Sequence, residues 1–282
     1  MRYEISHTTI YTYDRSVLLH PHVLRLRPRS DSWQNLQAFS LAIDPEPVGI
    51  SHISDLDGNN LVQFWFTETT QTLKVRVTSE IETFQTNPFN YQLQPWATRV
   101  PIDYPSSLKT RLQPYFQTHN PTSDAVALEL AQDIHHQVGG QTLAFLSTLN
   151  QWIYANCEHT IREEGEPWPA GVTWRQKRGS CRDFVVLFME VCRAIGLAAR
   201  FVSGYQEGDL DSEERHLHAW AEVYLPGAGW RGYDPTHGLA VADRHVSLVA
   251  STHPQDTAPL TGAFTPASAQ SLMENRISIS LF

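Results

Sequence analysis

The stretch His216-Leu217-His218-Ala219-Trp220-Ala221-Glu222-Val223-Tyr224-Leu225, continued through Pro226-Gly227-Ala228 by Gly229-Trp230-Arg231-Gly232-Tyr233-Asp234-Pro235, reads as an antiparallel hairpin. Leu217, Ala219, Ala221, Val223 and Leu225 alternate onto one apolar face, so His216, His218, Trp220, Glu222 and Tyr224 share the other. A loop of Pro226, Gly227 and Ala228 pairs Leu225 with Gly229. Trp220 then faces Asp234, and His218 becomes the diagonal neighbour of Asp234 on the polar face, within reach of its side chain. The opposite register would turn Asp234 toward apolar surroundings, where an unpaired carboxylate is costly.

Upstream, Arg178-Gly179-Ser180-Cys181-Arg182-Asp183-Phe184 sets a cysteine just after a glycine turn, at the start of an amphipathic helix. Phe184, Leu187, Phe188, Val191 and Ile195 recur at helical spacing, and Gly196 stands where a left-handed C-terminal cap belongs. Unpaired amides and the helix dipole favour a thiolate at such a start, and the thiolate is the reactive form. The plainer fate of a cysteine is burial in a core, and Cys157 and Cys192 fit that description. Cys181, His218 and Asp234 together supply a nucleophile, a proton acceptor and donor, and a carboxylate that orients the imidazole. Asp183 and Glu222 are expected in capping and ion-pair roles, and Trp220 either packs or shields the site from water.

Outward from this centre, the segment from Tyr3 to Phe84 has period two, clearest in Leu73–Ile81 and Phe39–Ile43, with turns at Arg27–Asp31, Asp44–Pro47 and Asp57–Asn60. An all-β sandwich is its natural closure. The following stretch is rich in proline and aromatics and shows neither period. Val126, Leu130, Ile134 and Val138, after a cap at Ser123, predict one helix, and Leu146, Leu149 and Ile153, after Gly139-Gly140, a second. The division expected is an N-terminal β domain over 1–95, a linker over 96–122 and a catalytic core over 123–282.

A net charge of -9 argues against a nucleic-acid partner, which needs a basic face. The longest apolar run, Phe184–Ala199, is broken by Glu190, Arg193 and Gly196, and the N-terminus lacks the apolar core of a signal peptide, so no membrane association is expected. Three cysteines at no zinc-like spacing point to reduced thiols and a cytoplasmic location. The acidic run Glu207–Glu214 lacks calcium-site spacing and reads as a solvated flap. No cofactor or metal is expected in the thiol reading. A rival reading is a metal-dependent hydrolase using His216 and His218 with Asp234 and His237, and a second is a non-catalytic binding protein.

Three blocks resemble the transglutaminase-like superfamily, a branch of the papain-like thiol fold. They are Gly179–Phe184 with Arg193–Tyr205, then His218–Leu225, then Gly229-Trp230 through Asp234-Pro235-Thr236. Ser6–Tyr13 and Leu24–Pro28 resemble the β domain that precedes this core in bacterial members. The resemblance implies an α+β fold, with a papain-like core of helices on a small antiparallel sheet preceded by the sandwich-like domain. It further implies catalysis by Cys181, His218 and Asp234 on a peptide or protein amide. Hydrolysis is expected ahead of transamidation, since water is always available and no amine site is specified. Beyond Gly238 the family pattern is less well kept, and Ser251–Asp256 stands where a more basic segment is expected.

Overall fold

A computed structural model describes residues 1–118, 125–162, 165–208 and 215–282. The N-terminal period of two becomes β1 (Arg2–Leu19), β2 (His22–Leu24), β3 (Gln34–Asp44), β4 (Gly49–Ser54), β5 (Asn60–Trp65) and β6 (Thr69–Thr83). β1 pairs antiparallel with β6, Tyr3 facing Ile81 and Tyr11 facing Leu73, and β3 lies beyond β6. β2, β5 and β4 belong to a second sheet. Tyr3, Ile5, Val75 and Val77 from the first sheet and Leu24, Val62 and Phe64 from the second share one core. This is the sandwich that alternating patterns demand, because each one-sided apolar sheet must cover its face.

The irregular stretch that follows carries a short helix, α1 (Ser106–Leu112), and buries Val100, Ile102, Tyr104 and Leu112 in a second core. Then come α2 (Ala125–Gln137), α3 (Thr142–Asn156), β7 (Glu158–His159), α4 (Ala170–Gln176), β8 (Arg178–Gly179) and α5 (Cys181–Ala194). α2 and α3 stand where the periodicity puts them, while Ser123 lies outside the described residues. α4, with seven residues, is too short to show a helical period in sequence.

α5 organises the core. Ser180 and Asp183 form a reciprocal capping box at its start. At its end Gly196 takes a φ of 79°, and the Leu197 amide donates back to the Cys192 carbonyl at 2.8 Å, the bond of a Schellman cap. The amphipathic pattern understates its burial, for Phe184, Leu187, Phe188, Met189, Val191 and Cys192 are buried, and so are Glu190 and Arg193. Arg193 meets Glu190 at 3.2 Å and donates to the carbonyls of Tyr115, Ala199 and Thr252. A buried ion pair is tolerable when its donors are satisfied in this way.

Against α5 lies an antiparallel sheet of β9 (Ala199–Gln206), β10 (His218–Leu225), β11 (Gly229–Asp234), β12 (Leu239–Ala240) and β13 (His245–Ser251), in the order β12-β11-β10-β9-β13. Leu225 pairs with Gly229 and Ala221 with Tyr233, which is the hairpin register expected, although β10 begins at His218 and leaves His216 outside it. Trp220 lies directly over Gly204 of β9, where a Cβ would come within 2.5 Å of its ring, so only glycine fits.

The outer edge of β13 is not exposed. The Gln34 side-chain amide both donates to and accepts from the Ser247 backbone, and Asn59 does the same at Ala250. Two amides from the β sandwich thus satisfy the edge as a neighbouring strand would. Arg231 is also flanked by the Trp33 and Tyr91 rings.

The end of the chain returns to the sandwich. β14 (Leu260–Thr261) pairs with β2, β15 (Phe264–Thr265) with β1, and β16 (Ser271–Leu281) runs along β1 with Tyr3 facing Leu281. The stretch 123–282 is therefore not confined to the helical core. β16 fills the edge of β1 that β6 leaves open, a long-range pairing with no local signature. Ser251–Asp256, where a basic segment was expected, ends β13 and enters a 3-10 turn over Pro254–Thr257. Among the described residues no helix is long and apolar enough to cross a membrane.

Candidate active site

Cys181 occupies the first position of α5, where its own amide has no partner within the helix. Asp183 fixes the entry to that position. One of its oxygens accepts from the Ser180 amide and hydroxyl at 2.7 and 2.8 Å, the other from Arg162 at 2.6 Å and the Trp168 amide at 2.7 Å. Asp183 therefore ties Arg162 and Trp168 to the start of the helix, an extension of its expected capping role. Glu222 keeps its ion-pair role too, at 2.6 Å from Arg200.

His218 opens β10 and Asp234 closes β11. The register brings them together as diagonal neighbours, and His218 Nε2 lies 2.7 Å from Asp234 Oδ2. The imidazole also bears on Cys181, whose thiol is favoured as thiolate by His159 and His218. With Nε2 committed to the carboxylate, Nδ1 is the nitrogen His218 presents to the sulfur. Trp220 packs against His218 with ring centroids 6.5 Å apart.

Asp234 is fully buried and richly partnered. Its Oδ1 accepts from the amides of Thr236 and His237 at 3.0 and 3.3 Å, closing the turn that Asp-Pro-Thr begins. Its Oδ2 is approached by His218, by His237 Nδ1 at 2.9 Å and by His245 Nε2 at 3.1 Å. A carboxylate only accepts, so each imidazole donates from the nitrogen facing Oδ2. Burial works to protonate Asp234, but the charge and hydrogen bond of His218 and the bonds of His237 and His245 hold its carboxyl well below the usual range.

The same balance sets the other groups. Burial disfavours charge on His218, yet the charge and hydrogen bond of Asp234, then those of Cys181, raise it to about 10. Burial pushes the Cys181 thiol up, and hydrogen bonds from His159 and His218 with their charge overcome it, lowering the thiol to about 6. At neutral pH the arrangement is thiolate, imidazolium and carboxylate in a row. Burial pushes the Cys157 thiol up, and that of Cys192 further still. Burial also lowers His245, which stays neutral as it donates to Asp234.

Residues 129–235 match the model of the transglutaminase-like superfamily, and residues 3–82 match that of the bacterial transglutaminase-like N-terminal region. The chain carries a transglutaminase-like superfamily core preceded by a bacterial transglutaminase-like N-terminal region. An uncharacterized protein of Mycobacterium tuberculosis is 28% identical over all of this chain and 93% of its own length. A protein-glutamine gamma-glutamyltransferase of Pseudomonas aeruginosa is 32% identical over 130 residues, which are 43% of this chain and 19% of that protein. A solved structure from Cytophaga hutchinsonii, provisionally named a cysteine protease, superposes with a TM-score of 0.73 at 20% identity, covering 99% of this chain and 90% of that one. That likeness shows the same fold over nearly the whole length.

Within this transglutaminase-like core the structure brings Cys181, His218 and Asp234 together and adds groups the sequence did not reveal. His159 precedes Cys181 on a strand of two residues, and His245 comes from β13, where a single histidine in an apolar run carries no signal. His237 was visible only as a metal-ligand candidate. The donor atoms of His218, Asp234 and His245 lie within 4.8 Å of one another and could hold a cation, whereas His216 is exposed and outside that group. Part of the acidic run, residues 209–214, lies outside the described residues.

Proposed function

We propose that this protein catalyses thiol-dependent acyl transfer at amide bonds of peptides or proteins, with water as the usual acceptor, through Cys181, His218 and Asp234. The observation that carries the reading is the 2.7 Å hydrogen bond from His218 Nε2 to the buried Asp234, beside a helix-start Cys181 whose thiol His159 and His218 lower. The Cys181 thiolate attacks the amide carbonyl, and the carbonyl electron pair moves onto oxygen, near the unpaired Cys181 amide. The carbon–nitrogen bond then breaks as the Nδ1 proton of His218 passes to the departing amine, leaving a thioester. Neutral His218 next removes a proton from water, the hydroxyl adds to the thioester, and the sulfur leaves as thiolate. Asp234 holds the ring throughout and compensates its charge.

A second reading is transamidation, in which a primary amine replaces water in the last step. It is favoured by the 32% identity over 130 residues to the Pseudomonas protein-glutamine gamma-glutamyltransferase. Glutamine-containing peptides, incubated with and without a primary amine, separate the two by product. Free acid with ammonia or a cleaved peptide marks hydrolysis, and the amine adduct marks transamidation. Either product is expected to disappear in Cys181→Ala and to persist with EDTA. Activity that survives Cys181→Ala but not EDTA would favour a metal at His218, Asp234 and His245 instead.

A further inference from the structure

Cys181 has a second imidazole partner for which the triad has no use. β7 and β8 form a parallel ladder of two residues each, His159 facing Gly179, and the Thr160 amide donates to the Gly179 carbonyl at 2.8 Å. Both β7 residues, Glu158 and His159, are exposed, so the ladder buries no apolar surface of its own. What it does is fix His159 against the last residues before the nucleophile. Its ring stands edge-on to Phe184, one turn along α5 from Cys181, at a centroid distance of 6.1 Å, and from this position it helps lower the Cys181 thiol.

We propose that His159 is a further catalytic residue, a hydrogen-bond donor that holds the Cys181 sulfur as a thiolate before attack and again as it leaves the acyl-enzyme. The inference rests on the thiol reading above. His218 has two ring nitrogens. One is committed to Asp234, and the proton on the other departs with the amine in the first half of the reaction. When the carbon–sulfur bond breaks, His218 carries on Nδ1 the single proton it has taken from the attacking water. The sulfur then accepts the electron pair of the broken bond with only that one donor from His218. His159 supplies a second donor and keeps its own proton, so it assists both halves. The ionisable groups that bear on the sulfur are then His159 from β7 and His218 from β10, with Asp234, His237 and His245 behind the latter.

The test compares His159→Leu and His159→Ala, which place no donor at the sulfur, with His159→Gln, which keeps an N–H donor. Two readouts are taken: the pH dependence of Cys181 alkylation by iodoacetamide, followed by peptide mapping, and kcat on an amide substrate that the wild type turns over. Loss of a hydrogen bond to a charged group is expected to raise the alkylation midpoint and lower kcat roughly 10- to 100-fold. His159→Gln is expected to recover most of both. An unchanged alkylation midpoint in the Leu and Ala variants overturns the inference, as does an equal loss in all three variants with the midpoint fixed, which marks a structural role. Because His159 is exposed, the fold is expected to survive, and either donor-free variant suffices if the other does not fold. Alkylation needs no turnover, so failure here is separable from failure of the thiol reading, which Cys181→Ala reports.

Discussion

Cys181 and Cys192 lie on the same helix, one at its first position and one near its last turn, and burial pushes both thiols up. Only Cys181 ends up low, at about 6, while Cys192 lies well above the ordinary thiol range. Cys192 sits among apolar side chains of the core. Cys181 faces two imidazoles, one of them backed by a buried carboxylate. A helix start alone is thus an incomplete account of activation. The decisive difference is the pair of imidazoles, His159 and His218, that bear on the sulfur.

That contrast can be broken most severely at the sulfur itself. Cys181→Ala is expected to lower kcat by about 10⁴-fold or more with the fold intact, whereas Cys192→Ala leaves kcat within about threefold and costs stability by creating a small cavity. Equal losses of kcat would erase the distinction. Next in size, Asp234→Asn removes the acceptor that orients His218, and kcat is expected to fall about 10³- to 10⁴-fold. In the wild type, kcat/KM rises with pH through about 6 as the thiol ionises and falls through about 10 as His218 loses its proton. Without the Asp234 charge the alkaline limb moves down, toward the ordinary histidine value near 6.5.

A smaller effect is expected at His245, which touches Asp234 and not the sulfur. His245→Leu removes one of three imidazole donors to Oδ2, and a drop in kcat of roughly tenfold is expected, with the Cys181 alkylation midpoint little moved. The smallest effect on chemistry is expected at Gly204. A Cβ there meets the Trp220 ring and the Val246 carbonyl, so Gly204→Ala is expected to cost about 1 to 3 kcal/mol in denaturant unfolding while the residual folded enzyme retains its pH profile. A changed profile would show that Trp220 does more than pack.

The parts of this structure that were legible in sequence are those set by local chemistry. The hairpin register follows from Pro226-Gly227-Ala228 and the alternation of β10, and it alone places His218 beside Asp234. The α5 caps follow from Asp183 and Gly196, and the structure adds Ser180 as the reciprocal partner of Asp183. The parts that escaped depend on contacts remote in the chain. β16 returns to β1 across the whole sequence, and Gln34 and Asn59 reach β13 from the sandwich, with no periodicity to announce either. His159 escaped because a strand of two residues has no pattern, and His245 because its partner is fixed only when β13 closes the sheet. Glu190 and Arg193 read as breaks in an apolar run because their pairing inside the core is not written in their spacing.

The pH dependence of thiol alkylation, resolved cysteine by cysteine in the wild-type chain, bears most directly on whether Cys181 is the activated nucleophile. The expected result is a midpoint near 6 for Cys181, with Cys157 and Cys192 unreactive until well into the alkaline range. A single midpoint near the ordinary thiol value of about 8.5 for Cys181 would contradict the thiolate–imidazolium account.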